Sequence, residues 1–456
     1  MQDIILALAT PGGESATGVV RLSGEGSIEL AEPVFRSRKP LTAVSGNTLV
    51  YGKLFHPENG AVVDDCVVSV FRAPASYTGE DTVEFSFHGN PLILHDAMDL
   101  LLSRGVRMAK PGEFTERAFL NGKLDLAEAE AVNDLIRAHT RHALASARAQ
   151  ADGILSRETE EIRSGILDVL ALVEAAIDHS DLDERFYEPS TLLAKIGNLR
   201  IRMEKLLASA PSGRILSSGM RVVLCGAPNA GKSSLLNLLL REERAIVSPV
   251  PGTTRDVVTD ELSVRGIPVR LSDTAGIRAA ADPVEQEGVN RARRALSDAD
   301  FALAVIDGSR PPGSDDLALL SLLEGKPAVV LLNKCDSSGY LGESALPETC
   351  AFPVLRTSAV TGEGLTEIEE VIEGRFFSFG YRPGQDTLLT NARQEDSVHR
   401  SLTALESAVK AMKSGAGDEI VAVSLRRARM SIEEVTGQST DEALLDRIFS
   451  RFCIGK

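Results

Sequence analysis

From residue 1 to 118 the chain alternates short apolar runs with turn formers. Ile4–Leu8, Gly18–Leu22, Cys66–Phe71 and Thr82–Phe87 are rich in β-branched or aromatic residues, and Thr10-Pro11-Gly12-Gly13 and Pro57-Glu58-Asn59-Gly60 punctuate them. That texture predicts strands joined by tight turns. After Pro91 the period changes, with Leu94, Met98, Leu101 and Leu102 at helical spacing. The segment reads as an α+β domain. From 119 to 216 the texture is helical: the run Ala118–Leu155 is dense in Ala, Leu, Glu and Arg and has no proline. Helical character resumes at Glu158–Asp178, breaks near His179–Pro189 and returns at Thr191–Ala210. Three or more long helices are predicted, bundled because each carries one apolar stripe.

Strand–loop–helix alternation returns from 217 to 379. The segments Met220–Gly226, Val269–Gly276, Phe301–Gly308, Ala328–Lys334 and Ala351–Ala359 carry near-continuous apolar runs, as expected of strands covered on both faces in a mostly parallel sheet. From 380 to 456 the chain is helical again. The order alone predicts an α/β block inserted into one helical domain, so the expected fold is multidomain α/β in four segments: 1–118, 119–216, 217–379 and 380–456.

Composition narrows the classes. Of 456 residues, 43% are apolar and 25% charged, with 49 Lys+Arg against 65 Asp+Glu and a net charge of −16. Such an average surface does not attract a nucleic-acid coat or an anionic membrane, although one structured RNA can still be met by a local patch. No apolar run approaches the roughly 18–20 residues that span a bilayer. The start, MQDIILALATPGG, lacks a basic n-region and does not read as a signal peptide. Five cysteines without a CxxC pair predict a reducing cytoplasm rather than a disulfide framework or a zinc cluster.

The candidate chemistry is concentrated in the third segment. Gly226-Ala227-Pro228-Asn229-Ala230-Gly231-Lys232-Ser233 fits GxxxxGK[ST], directly after a predicted strand and directly before the helical run Ser233–Leu240. Backbone N–H groups of such a turn face phosphate oxygens at a helix N-terminus. Asn229, Ala230, Gly231, Lys232, Ser233 and Ser234 are therefore candidate phosphate contacts, with the Ser233 hydroxyl a Mg²⁺ ligand. Asp273-Thr274-Ala275-Gly276 closes another strand, placing an acid near that metal and Gly276 near a γ-phosphate. Asn333-Lys334-Cys335-Asp336 follows a third strand. The Asp336 carboxylate suits the N1–H and amine of guanine, a donor pair that adenine lacks. Ser358-Ala359 can offer a backbone N–H to the guanine carbonyl. Pro251-Gly252-Thr253-Thr254-Arg255-Asp256 supplies Thr254 as a Mg²⁺ ligand that closes when a γ-phosphate is present. Ile277 stands where Ras-like enzymes carry a water-orienting glutamine, which leaves Asp282, Glu285 and Glu287 as candidate acids and Arg255 as a candidate finger.

With these motifs, the run Pro111–Leu126 (PGEFTERAFLNGKLDL), Thr78–Glu84 (TGEDTVE) and the terminal Phe452-Cys453-Ile454-Gly455-Lys456, the whole chain resembles the MnmE (TrmE) family of tRNA-modification GTPases. The resemblance implies an N-terminal domain that binds a tetrahydrofolate derivative (methylene- or formyl-) and forms a homodimer. Arg21, Glu84, Lys123 and Lys456 match the folate positions. It implies activation of the GTPase by K⁺ held by Asn229 and by Ser248, Val250 and Thr253, with Glu285 as the catalytic glutamate. It further implies a flavoprotein partner resembling MnmG, carrying the FAD, in a heterotetramer-type complex that modifies the wobble uridine of certain tRNAs in the cytoplasm with no membrane involved. Cys453 matches the family's terminal cysteine, and both a nucleophilic and a structural role stay open. Asn90 stands where relatives often carry a second glycine after His88-Gly89. Two alternatives remain. One is a regulatory GTPase of the ribosome-assembly type without modification chemistry, which predicts a basic RNA-binding domain. The other is a folate-dependent one-carbon transferase, which needs no guanine site.

Overall fold

The computed structural model describes residues 3–179, 187–242, 260–273, 296–347, 350–383 and 387–456. It divides into two compact units, Met1–Asn133 with Glu433–Lys456, and Asp134–Ile432.

In the first unit, β1 (Ile5–Leu8), β2 (Ser15–Ser23), β3 (Phe35–Ser37), β4 (Thr48–Phe55), β5 (Val62–Phe71), β6 (Thr82–Gly89) and β7 (Arg107–Met108) form one sheet, ordered β3-β4-β5-β6-β2-β1-β7. Neighbours run antiparallel except β1 and β7. Helices α1 (Ser27–Ala31) and α2 (Pro91–Leu102) lie in the same unit. The core gathers Val20, Leu22, Val68, Val70, Val83 and Phe85 from the sheet with Leu94, Ala97 and Leu101 from α2. β3 and β4 carry weak sequence signals because β4 is broken by Gly52. A Cβ at Gly52 would meet the Arg36 carbonyl at 2.4 Å and the Phe35 ring at 2.5 Å, so the strand's weakness in sequence is its close fit in space. Asn90 has a local explanation too: its Oδ1 accepts the Leu92 N–H at 2.8 Å and caps α2.

The helical stretch after residue 112 is three helices, α3 (Glu113–Leu120), α4 (Leu126–Arg137) and α5 (Arg141–Ala151). Gly122, at φ 68, follows the end of α3. Asp125 and Glu128 then exchange side-chain-to-backbone hydrogen bonds at 2.8 and 2.9 Å, a reciprocal cap that starts α4. Thr140 accepts the Ala143 N–H at 3.3 Å and starts α5.

In the second unit, α6 (Ile154–Asp178) and α7 (Pro189–Ser218) lead into a sheet of β8 (Met220–Gly226), β9 (Asp260–Val264), β10 (Ile267–Asp273), β11 (Phe301–Asp307), β12 (Ala328–Asn333) and β13 (Val354–Arg356). Its order is β13-β12-β11-β8-β10-β9, parallel except for the edge pair β9–β10. Every residue of β11 and β12 is buried, which is why both read as unbroken apolar runs. Helices α8 (Lys232–Glu242), α9 (Ser314–Leu323) and α10 (Leu365–Phe377) accompany the sheet, and α11 (Ala392–Lys413) and α12 (Asp418–Thr436) follow it. α7 and α11, on either side of the sheet block in sequence, pack on each other. The segment that leads into α11 also lies close against α7 at Gly213, where a Cβ would meet the Leu389 carbonyl at 2.1 Å.

The compact units cut the chain elsewhere than the boundaries 118, 216 and 379. The last turns of the chain leave the segment 380–456 and pack with the N-terminal sheet unit, because α13 (Glu442–Phe449) carries Leu445, Phe449 and the following Phe452 onto Leu126 and Ala129. Among the described residues no helix is long and apolar enough to cross a membrane.

Candidate functional site

Two groups of candidate residues assemble, one in each unit. In the second unit, β8 ends at Gly226 and α8 begins at Lys232, so the turn between them lies at the carboxyl end of the parallel strands, where open α/β sheets bind ligands. Lys232 is buried and its Nζ donates to the carbonyls of Gly226 and Ala227, each at 2.8 Å, curling back over the turn. Asn229 holds a left-handed backbone at φ 62 with an exposed side chain, and Ser233 and Ser234 are exposed in the first turn of α8.

Asn333 joins this turn to two other loops. It is 1% exposed; its Nδ2 donates to the Ala230 carbonyl at 2.8 Å and its Oδ1 accepts the Ala359 N–H at 3.1 Å. Gly231, at φ 101, makes room for it: a Cβ there would lie 2.1 Å from Asn333 Nδ2. Beside it the exposed Asp336 accepts the Ser358 hydroxyl at 2.6 Å, while Ser358 Oγ accepts the N–H groups of Val360 and Thr361 at 3.2 and 3.1 Å. Ala359 therefore already gives its N–H to Asn333, so a guanine carbonyl would share that donor.

Asp273 ends β10 in register with Leu224 of β8. Ser248, Val250, Thr253, Thr254, Gly276 and Glu285, together with Arg255, Ile277, Asp282 and Glu287, lie outside the described residues. One residue absent from the sequence reading belongs here. Asp307 closes β11 directly opposite Asn333, and its Oδ2 is 2.6 Å from Lys334 Nζ. Its signal in the sequence is an acid ending a wholly apolar strand, a place where a carboxylate needs a partner.

In the first unit, Arg21 of β2 and Glu84 of β6 are cross-strand partners, joined Nε to Oε1 at 2.7 Å. The Arg21 guanidinium also donates to the Gly455 carbonyl at 3.2 Å and lies over the Phe114 ring, 5.5 Å from its centroid. The terminal residues are fixed by backbone: the Gly112 N–H reaches the Cys453 carbonyl at 3.3 Å and the Phe114 N–H the Lys456 carbonyl at 3.2 Å. Gly455, at φ 93, allows this, since a Cβ would meet the Leu8 carbonyl at 2.5 Å. Burial and the neighbouring Arg21 hold the Lys456 ammonium below the usual lysine range, against the opposing pull of Glu84 and Cys453. Cys453 is exposed. Lys123 sits on the adjacent loop, its Nζ donating to the Pro74 carbonyl at 3.0 Å. Pro74 belongs to the loop between β5 and β6, which also carries Tyr77, whose hydroxyl is 2.9 Å from Thr115 Oγ1.

The structure thus brings Arg21, Glu84 and Gly455-Lys456 together, with Phe114 and Tyr77 as neighbours that sequence reasoning missed. Both aromatics lie in or beside motifs valued only for their resemblance. Below them, the buried Arg117 meets Glu80 at 3.2 Å, Glu113 at 3.1 Å and Asp3 at 2.8 Å, so much of TGED and PGEFTER is a structural ion network.

Comparison with known proteins covers the whole chain. Residues 4–123 match the family model of the GTP-binding protein TrmE N-terminus, and residues 126–453 match the MnmE helical domain. The tRNA modification GTPase MnmE of Symbiobacterium thermophilum is 44% identical over 459 aligned positions, covering 100% of both chains. That of Chloroflexus aurantiacus is 43% identical over 458 positions, again with 100% of both chains covered. That of Geobacillus kaustophilus is 42% identical over 458 positions, covering 100% of this chain and 99% of the relative.

Proposed function

The chain belongs to the MnmE family of tRNA modification GTPases, and from that premise we propose that the Asn333-centred site binds and hydrolyses GTP in the service of wobble-uridine modification. The observation that carries this reading is the Asn333 bridge: one buried amide ties the turn Gly226–Ser233 to the loop bearing Ser358 and Ala359, so a phosphate cradle and a base corner are held at a fixed distance. Lys232 is poised to trade its two carbonyls for β/γ-phosphate oxygens. Asp336, oriented by Ser358, accepts from the guanine N1–H and amine.

The residues present fit the metals. Ser233 offers a hard oxygen at the start of α8, as Mg²⁺ prefers, and the motifs assign Thr254 and the acid Asp273 to the same metal. The left-handed, exposed Asn229 offers an amide oxygen for K⁺, alongside Ser248, Val250 and Thr253. The motif assigns Gly276 to the γ-phosphate, and the family resemblance assigns Glu285 to the attacking water. Arg21 and Glu84 present a donor fork and an acceptor pair side by side, which suits a pterin edge, and Lys123 and Lys456 suit the acidic tail of a folate. When bound, the cations supply positive charge against the developing phosphate charge, and a methylene- or formyl-tetrahydrofolate supplies the one-carbon unit.

The homodimer reading draws support from the outer sheet face, where Tyr51 and Val67 are exposed cross-strand neighbours with Leu49 beside them. The partner is a cytoplasmic flavoprotein resembling MnmG, which brings the FAD to a heterotetramer-type complex on tRNA. Cys453, exposed at the edge of the Arg21 site, is available as a nucleophile toward the one-carbon unit.

The test has two arms. GTP turnover is compared in K⁺ and Na⁺ buffers, with gel filtration in GDP plus aluminium fluoride. Unmodified tRNA is then incubated with the chain, GTP, the flavoprotein, methylene-tetrahydrofolate and either ammonium or glycine as the nitrogen source, and its wobble nucleoside is analysed by mass spectrometry. K⁺-dependent turnover with association, and a new aminomethyl or carboxymethylaminomethyl uridine, are expected. Equal rates in both salts would remove the K⁺ assignment, and an unchanged nucleoside would remove the modification chemistry.

A further inference from the structure

Asp307 lies outside the motifs that form the guanine corner, yet it holds one of them in place. It ends β11, stands opposite Asn333 of β12, and its side chain is 9% exposed. Oδ1 accepts the N–H and the hydroxyl of Ser309 at 3.0 and 2.6 Å, which leaves Oδ2 for a cation. Two cations are near. Arg310 directs its fork to Asp316, Nη1 to Oδ2 at 2.9 Å, and comes no nearer to Asp307 than 3.9 Å. Lys334 Nζ takes the position at 2.6 Å. Burial alone would raise the Asp307 carboxyl pKa, but the Lys334 ammonium and the Ser309 donors outweigh it and hold it below the usual carboxylate range.

Lys334 is unusual in its own right. Its backbone is left-handed at φ 66, which turns the chain sharply after β12, and its side chain is 37% exposed. A lysine stem is flexible and costly to immobilise when only its backbone is fixed. Here it is fixed at both ends, by the left-handed turn and by Asp307. We propose that Asp307 is a positioning residue for guanine recognition: by tethering the Lys334 ammonium it fixes the four-methylene stem as an apolar wall for one face of the purine, beside the carboxylate of Asp336. This rests on the guanine site proposed above.

The test is the binding of fluorescent GDP and GTP analogues to the full chain. Asp307→Asn keeps the side-chain volume and an acceptor for Ser309 but removes the charge. Its Kd for both nucleotides should rise about tenfold, the scale of ordering one long side chain, while turnover at saturating GTP stays within about twofold. In a Lys334→Ala background the same change should alter Kd by less than about twofold, because the stem is already gone. Wild-type affinity in Asp307→Asn, or a full multiplicative effect in the Lys334→Ala background, overturns the proposal. If Asp307→Asn does not fold, Lys334→Met reads the contact from the other side: it keeps an apolar stem without a tether, and wild-type affinity there overturns the proposal equally. Asp336→Asn separates this inference from the reading beneath it. An amide should favour xanthine, whose second carbonyl replaces the guanine amine. Failure of that switch removes the guanine site and this proposal with it; a switch accompanied by a silent Asp307→Asn removes this proposal alone.

Discussion

Replacing Asn333 by alanine removes a buried side chain that joins the phosphate turn to the base corner. Two hydrogen bonds are lost, and two backbone groups are left behind. A buried polar group stripped of its partner costs about 1–3 kcal/mol. Ala230 is fully buried, so its carbonyl falls well within that range; Ala359 is half-buried, so its N–H recovers water and lies at the lower end. Together they come to about 2–4 kcal/mol, which, expressed as affinity, is about 30- to 1000-fold. The chain has no tryptophan, so the assay pairs far-UV circular dichroism in urea with the Kd of a fluorescent GDP analogue. Asn333→Ala should lower the urea midpoint and weaken GDP together, because nucleotide and native site depend on the same bridge. Asn333→Asp is the sharper variant. Its carboxylate still accepts the Ala359 N–H but sets a second acceptor against the Ala230 carbonyl, so it should be at least as damaging as alanine. Combined stability and affinity losses below about 1 kcal/mol in Asn333→Ala, or near-wild-type binding in Asn333→Asp, would refute the bridge.

Three further outcomes follow from the first unit. Gly455→Ala places a methyl group 2.5 Å from the Leu8 carbonyl on a left-handed backbone, so it should undock the tail and speed hydrogen exchange at the Phe114 amide; an unchanged exchange rate would show that the tail docks another way. Burial pushes the Cys66 thiol up to about 12, whereas Cys453 is exposed; iodoacetamide at pH 8 should label Cys453 in the native protein and reach Cys66 only on unfolding, and equal native labelling would contradict the packing. Burial raises the Glu113 pKa, but Arg107, the Lys110 N–H and Arg117 more than reverse it, so the net shift is downward. A depressed carboxylate stabilises the fold above its unfolded pKa, about 4.3, and that stability is lost as pH falls through the folded value. Glu113→Gln should therefore be less stable than wild type at pH 7 and differ less at acid pH, as read by urea midpoints; a gap that does not narrow would sink the assignment.

The strands β11 and β12 were legible because every residue is buried and the apolar run is broken only at its last residue, and β8 because only the exposed Arg221 interrupts its own. β9 was not, since Asp260-Glu261-Leu262-Ser263-Val264 is an edge strand whose alternation competes with its charged start. The three-helix division after residue 112 was written in the sequence as Gly122, the Asp125/Glu128 pair and Thr140, but these punctuation marks are small against a long run of helix formers. Helix propensity sums over many residues, whereas a cap is a single local term.

The same contrast governs the sites. A motif is legible when its residues are neighbours in sequence, as Gly226–Ser233 and Asn333–Asp336 are. What makes each motif a site is a cross-link to residues far away in the chain, and no spacing rule reports that. Asn333 reaches Ala230 and Ala359, Asp307 reaches Lys334, and Arg21 reaches Gly455. In two of these cases a glycine marks the cross-link without naming its partner: Gly231 is bare because Asn333 needs the room, and Gly455 because the Leu8 carbonyl does. A glycine that must adopt positive φ is visible in sequence only as a glycine. Its reason for being there lies with the atom that approaches it, and that atom is supplied by the fold.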